Sequence, residues 1–364
     1  MGRIADIVRR NKLYLFLTVF ILGINLMVLV DSRLDRPPGE RAEDLYGAVM
    51  PAGRETEPEG PEIFDPDDLR ARQEKLQSLA RGKPLLYVFL AIVNLTVMFM
   101  ILVGLIIDIY FSARFFRKKP PDIRVNPQPA PLWGVPDILR VTIIFLSFAY
   151  LFAVLQAFAI KKFAVLGNQN FNMVFNTSLA NIVGISVILY FVRKKYGQGV
   201  SALGLTVKGA GKSVFYGIIG YLALIPVLIL IMALTYAVTK LIKYQPPVQP
   251  IVELFMKEKE TSVLWMSTVF AAVFGPVAEE IFFRGFIYGA LKKNLGVFGG
   301  ILVTALLFSA LHAHIVGLLP ILALGILLSY LYEKTGSLAA PITVHIIHNL
   351  GMVFLVFLVR MIGL

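Results

Sequence analysis

Nine apolar runs follow one another along the chain, at 13–30, 84–110, 139–160, 172–192, 214–238, 263–291, 297–315, 316–332 and 338–362. At about 1.5 Å per residue most are long enough to cross a ~30 Å hydrocarbon layer as helices. A segment in that layer must satisfy its own backbone hydrogen bonds, and a helix does so without a partner. The pattern predicts an all-α polytopic membrane protein of about nine transmembrane helices, with the C-terminus on the opposite side from the N-terminus.

The connections between runs differ in charge. Arg3, Arg9, Arg10 and Lys12 precede the first run, which is too long for a signal peptide and has no small-residue cleavage site behind it, so the N-terminus is expected in the cytoplasm. Residues 31–83 hold 13 of the 23 acidic residues and read as an extracytoplasmic loop, with one helix from Asp65 to Ala80. Arg114, Arg117, Lys118 and Lys119 return the chain to the cytoplasm. Residues 1–119 therefore form an N-terminal two-span hairpin. A proline-rich linker at 120–137 is expected to lie at the interface with Trp133 at headgroup level, and residues 138–364 form the core. The segment from Arg193 to Ser213 has five basic residues and no acid, as expected of a cytoplasmic connection. Within it, Lys208-Gly-Ala-Gly-Lys-Ser213 lacks the first glycine of a phosphate loop, since position 206 is Thr206.

Composition fits this picture: 57% of residues are hydrophobic, 16% are charged and mean hydropathy is +0.74. The net charge of +12 follows the membrane topology and implies no nucleic-acid partner. The chain has no cysteine, which excludes disulfides, thiolate metal sites and cysteine nucleophiles.

Chemistry enters where polar residues interrupt the apolar runs. Glu279, Glu280 and Arg284 sit inside the run at 263–291. A charged side chain at such a depth costs about 2.5–3.5 kcal/mol on insertion scales. Glu280 and Arg284 are spaced i, i+4 on one helical face and can pair, whereas Glu279 points about 100° away with no cation at helical spacing. Phe308 and His312 follow one turn apart in the next run, and His345 and Asn349 one turn apart in the last. All four histidines fall within 37 residues. His314 lies nearly opposite His312 on a helix and reads as structural, while His348 is close enough in angle to His345 to line a shared cavity. Pro276 and Pro341, just before these clusters, are candidates for local opening of the helices. Glu279 and His312 can polarise a water between them, and His345 and Asn349 can donate hydrogen bonds to an oxyanion.

Glu-Glu-x-x-x-Arg, Phe-x-x-x-His and His-x-x-x-Asn, in this order on membrane helices, resemble the CPBP family, the type II CAAX prenyl endopeptidases and their bacterial Abi relatives. The resemblance covers roughly residues 139–364. It implies a polar catalytic cavity in the C-terminal core and an intramembrane endopeptidase acting on a CAAX-type or bacteriocin-related peptide. It places Glu279 and His312 on the nucleophilic water, His345 and Asn349 at the oxyanion, and Glu280 and Arg284 in support. The alternative is a non-catalytic immunity or scaffold protein that keeps the fold. Glu279, His312 and His345 could also supply the three ligands of an open site for a divalent metal such as zinc. No His-Glu-x-x-His helix is present, and the same residues suffice for a glutamate-and-water mechanism without a cofactor. The expected partners are a peptide or membrane-protein substrate and the lipid bilayer, and the expected location is a bacterial inner membrane.

Topology gives the first test. Protease added outside spheroplasts should nick residues 31–83 and spare 193–213. The reverse pattern would invert the orientation.

Overall fold

The computed structural model describes residues 11–31, 81–119, 122–127, 129–159, 168–244, 248–312 and 314–362. The acidic segment and its expected helix fall at 32–80, outside the described residues. The helices are α1 (Lys12–Asp31), α2 (Pro84–Phe116), α3 (Val135–Ala159), α4 (Gln169–Tyr190), α5 (Ala210–Leu241), α6 (Pro250–Lys257), α7 (Thr261–Val269), α8 (Gly275–Glu280), α9 (Gly289–Leu311), α10 (Leu318–Thr335) and α11 (Ala339–Ile362). No strand occurs among the described residues. The protein is an all-helical, polytopic membrane protein.

Seven helical stretches among the described residues are long and apolar enough to cross a membrane. The longest, Thr261–Leu311, has 51 residues and joins α7, α8 and α9 through wide π-helical turns at Phe270–Phe274 and Ile281–Tyr288. A straight helix of that length would reach about 77 Å, more than twice a bilayer core. It is divided at Gly296, whose φ of 69° lies in the left-handed region that glycine enters without steric cost. Beyond this break the chain folds back, bringing Gly300 beside Tyr288. Counting that division, the seven stretches give eight apolar spans, and α1 is a further, shorter apolar helix. The final return is shorter than the apolar run at 297–315 suggests, because the helix stops at Leu311 and α10 starts only at Leu318.

One end of the bundle is basic and closely tied. Lys195 and Tyr196 both bond Asp137, and Lys292 bridges to Glu333 at 2.7 Å. The Leu338 amide donates to the Gly204 carbonyl at 2.9 Å and the Asn126 amide to Thr335 at 3.0 Å. At the opposite end Arg360 donates to the carbonyls of Phe255 and Glu258. The Glu258 carboxylate accepts from Asn170 at 2.8 Å and from the amides of Glu260 and Lys259, which holds it below the usual carboxylate range.

The proline-rich segment departs from expectation. Trp133 is enclosed by protein and not exposed, stacked on Phe286 at 5.4 Å, with its indole N–H donating to the Phe286 carbonyl at 2.8 Å. A buried indole needs a partner for its single donor, and this carbonyl supplies one from within the π-helical turn. Gln198 bonds the Leu132 amide and the Ala130 carbonyl, and Lys293 caps the Trp133 carbonyl at 2.7 Å. The segment thus packs across the basic end of the core.

The two N-terminal helices dock on different partners. α1 runs parallel to α3, with Asn25 bonded to the Tyr150 hydroxyl at 3.0 Å and Asn11 to Arg140 at 3.3 Å. α2 lies on α5, where Pro226 interrupts the helix. Proline has no N–H, so the Leu222 carbonyl four residues earlier loses its helical donor. Gly104 of α2 presses against this spot, and a Cβ there would lie 2.3 Å from the Leu222 oxygen. Close backbone approach through a small residue is how membrane helices associate when burial from water offers no drive.

Gly104→Leu should therefore displace α2 and destabilise the protein by about 1–3 kcal/mol, the usual range for overpacking. Gly23→Leu, at a glycine with nothing within 4 Å, is the matched control. Thermal melting in detergent should show a lower Tm for Gly104→Leu alone, and equal Tm values would refute the contact.

Candidate active site

Glu280 and Arg284 face each other one turn apart across the start of the second π-helical turn. Arg284 Nη1 donates to Glu280 Oε1 at 2.7 Å, and both side chains are 0% exposed. The i, i+4 pairing expected from spacing is present. The remaining guanidinium donors reach α10: Nη2 meets the Gly325 carbonyl at 3.2 Å and Nε the Ser329 hydroxyl at 3.4 Å. The Phe308 ring lies 4.4 Å from the guanidinium carbon. A buried cation is tolerated where its charge is paired and its donors find acceptors; here each guanidinium nitrogen has a partner, while Glu280 Oε2 is left buried without one among the described residues.

His345 of α11 stands between the two glutamates. Its Nδ1 is 2.8 Å from Glu280 Oε1, and its Nε2 is 3.8 Å from Glu279 Oε2. Glu280 Oε1 already accepts from Arg284, so it is an acceptor toward His345 as well, and Nδ1–H donates. The Glu280–Arg284 pair thereby orients the imidazole and leaves Nε2 directed at Glu279. At 3.8 Å the two atoms are beyond direct hydrogen-bond reach, and Glu279 Oε2 is buried without a hydrogen-bond partner among the described residues. The two glutamates differ in access: the Glu280 side chain is 0% exposed and that of Glu279 is 34% exposed.

Glu279 and His312 line a cavity of about 410 Å³. Its far wall comes from α3 and α4, including Phe145, Phe148 and Phe152, and α4 packs directly on α8. His312 follows the last residue of α9, exposed at the cavity edge, and its Nδ1 is 2.7 Å from the Phe308 carbonyl. A carbonyl can only accept, so Nδ1 carries the proton and Nε2 is left as an acceptor. Phe308 joins the two histidines, with ring centroids 4.6 Å from His312 and 5.6 Å from His345.

Asn349 takes a different position from the one its spacing suggests. Its amide donates to the Ala271 carbonyl at 2.8 Å. At the end of the turn Phe270–Phe274 the Gly275 N–H reaches back five residues to the Phe270 carbonyl. The next donor in that register would be Pro276, which has none, so the Ala271 carbonyl is orphaned and Asn349 satisfies it. One amide hydrogen of Asn349 remains. Pro276 thus accompanies an opened backbone, whereas Pro341 lies in the first turn of α11, where a missing N–H is tolerated.

The other two histidines lie away from the cavity. His314 accepts from the Gly317 amide at 2.9 Å, shaping the turn before α10. His348 packs edge-on to Tyr221 of α5 at 6.0 Å and is not among the cavity-lining residues. Among the described residues no three His, Cys, Asp or Glu side chains gather closely enough to hold a metal ion. Glu279 and His312 share the cavity, and His345 Nε2 lies 3.8 Å from Glu279 Oε2. Gly325 and Ser329 escaped the sequence reading. Their only signal is a small and a polar residue one turn apart in an apolar run.

The two glutamates should fail differently. Glu280→Gln leaves Arg284 as a buried unpaired cation, and breaking such a pair from one side costs about 3–5 kcal/mol. The expected result is a lower Tm, partly recovered by adding Arg284→Met. Glu279→Gln should leave the Tm near wild type. A reversed order of the two Tm values would exchange their roles.

Comparison with known proteins converges on the same segment. Residues 261–351 match the family model "Type II CAAX prenyl endopeptidase Rce1-like". Over 87 residues, 24% of the chain, the sequence is 32% identical to a Bacillus subtilis (strain 168) protein named "Putative membrane peptidase YdiL". That match spans 36% of the relative's length, about a third of it. No solved structure matches the chain. Glu279, Glu280, Arg284, His312, His345 and Asn349 all lie inside the segment that matches this family model.

Proposed function

We propose that this protein is an intramembrane endopeptidase that hydrolyses a peptide bond with water activated by Glu279. The observation that carries this reading is the placement of Glu279: one oxygen faces His345, and the residue lines a cavity shared with His312. The family match and the membrane-peptidase relative support the same class of reaction.

The roles follow from the donors and acceptors. A water in the cavity gives one hydrogen to the Glu279 carboxylate and the other to His312 Nε2, and both acceptors leave an oxygen lone pair directed at the substrate. As the water oxygen bonds to the carbonyl carbon, Glu279 takes its proton and the C=O electrons move onto oxygen. The remaining amide hydrogen of Asn349 and, with the ring in its doubly protonated form, His345 Nε2–H are the donors toward that oxyanion. Collapse of the intermediate breaks the C–N bond, and Glu279 returns the proton to the leaving amine. The products are a carboxylic acid and an amine. Glu280 and Arg284 touch no substrate and position His345. This route needs no metal. Only peptides that can enter an aromatic-lined, cation-free cavity are substrates, which favours apolar or membrane-borne segments, of CAAX or bacteriocin-related type. The excess of Lys and Arg at the end carrying Lys195, Lys292 and Lys293 orients that end toward the cytoplasm of a bacterial inner membrane, with the N-terminus on the same side.

Purified protein in detergent should cleave at least one member of a library of apolar peptides. Glu279→Gln should lower the rate by about 10²–10⁴-fold, the range for loss of a general base, and His345→Ala should abolish it. Pre-treatment with 1,10-phenanthroline should leave the rate unchanged. Equal cleavage by wild type and His345→Ala would refute the site. Inhibition by the chelator, reversed by zinc, would refute the metal-free route. Silence of the wild type would leave a non-catalytic scaffold.

A further inference from the structure

The wall of the cavity opposite Glu279 contains a polar group that the hydrolytic residues do not use. Asn181 lies on α4, in the same apolar run as Asn176 and Thr177, and all three line the cavity. Two of them are already engaged: Asn176 donates to Gln156 Oε1 at 2.7 Å, and Thr177 bonds the Met173 carbonyl at 2.8 Å. Asn181 has no hydrogen bond with any described residue. Its surroundings are apolar, with Ile185 and Ile188 following on α4 and the rings of Phe145, Phe148 and Phe152 on α3. Gly184, one turn from Ala180, sits so close to Phe145 that a Cβ would lie 3.2 Å from the ring, which closes the wall behind the amide.

An amide at a cavity wall with no partner on its own helix keeps its hydrogen-bonding capacity for whatever enters the cavity. A polypeptide that enters the cavity to be cut has the complementary need. To reach Glu279 its scissile region must leave the helical conformation, and each backbone N–H and C=O so released costs several kcal/mol at membrane depth unless it is paired. The asparagine side chain carries two donors and an acceptor, the set that pairs with a peptide unit in extended form. α4 packs directly on the segment that carries Glu279, so a strand held on Asn181 lies beside the hydrolytic water.

We propose that Asn181 is a substrate-binding residue of the protease reading, holding the main chain of the unwound substrate against α4 while Glu279 acts from the opposite wall. It recognises peptide backbone and not a particular side chain. The specificity that the cavity adds is for apolar neighbours, through its phenylalanine lining. The inference rests on the proposed hydrolytic function, and its test is arranged so that the two can fail separately.

Asn181→Leu keeps the size of the side chain and removes its hydrogen-bonding capacity. With a peptide cleaved by the wild type, this variant should raise KM about tenfold while kcat stays within about threefold, the signature of lost binding shared by ground and transition states. An unchanged KM, or a fall in kcat alone, would overturn the assignment. Thermal melting without peptide separates this role from a structural one: the Asn181→Leu Tm should equal or exceed that of wild type, and a clear drop would overturn the inference. Capture of dye-labelled library peptides by Glu279→Gln protein supplies a readout that needs no cleavage. Adding Asn181→Leu to that background should weaken capture about tenfold, and undiminished capture would overturn the role of Asn181. If capture falls while the wild type cleaves nothing, the protease reading fails and Asn181 stands as a peptide-binding residue.

Discussion

The fully buried pair Glu280–Arg284 is the interaction on which the C-terminal core depends. Two opposite charges 2.7 Å apart neutralise each other, and several of their remaining donors and acceptors are placed as well, Glu280 Oε2 excepted. Those leftover valences organise the neighbours. The guanidinium fixes α10 through Gly325 and Ser329, and the carboxylate fixes α11 through His345. Phe308 of α9 covers the cation and contacts both histidines. One ion pair thus ties four elements of the core to one another and sets the orientation of the group nearest Glu279.

Irregular backbone does comparable work. The turns at Phe270–Phe274 and Ile281–Tyr288 flank α8, so the two glutamates stand on a short regular segment between two widened ones. Each opened turn presents a carbonyl that a distant side chain satisfies: Asn349 at Ala271 and Trp133 at Phe286. Such departures from the i to i−4 ladder are confined to places where protein can re-satisfy the backbone, because lipid cannot. Widened turns at functional sites are common, and here they aim Glu279 into the cavity while Glu280 faces the core.

The cavity itself joins two unlike surfaces. One carries the carboxylate of Glu279 and the imidazole of His312, and the other is built from α3 and α4, largely phenylalanine and aliphatic side chains with an open amide at Asn181. That division matches a reaction in which a polar bond must be presented from an apolar chain. The N-terminal helices stay outside it, with α1 on α3 and α2 on α5, and support the walls without contributing cavity-lining residues.

Local sequence determined much of this protein. Apolar length alone defines the helices, because the bilayer imposes one thickness on every span, and charge at the connections separates the two ends. The pairing of Glu280 with Arg284 was also legible, since helical spacing places them on one face whatever surrounds them. Contacts between helices distant in sequence were not. That His345 stands between the glutamates, that Asn349 serves an orphaned carbonyl and that Trp133 is buried all depend on how separate helices rotate and approach. Periodicity describes each helix about its own axis and is silent on the neighbour it meets. The wide turns were invisible for a related reason: they arise where Pro276 removes a donor and tertiary partners make an opened register tolerable. The sequence by itself thus determined which polar residues interrupt the apolar helices, and the tertiary structure decided which atoms face one another, because those choices are settled by packing between helices and not within them.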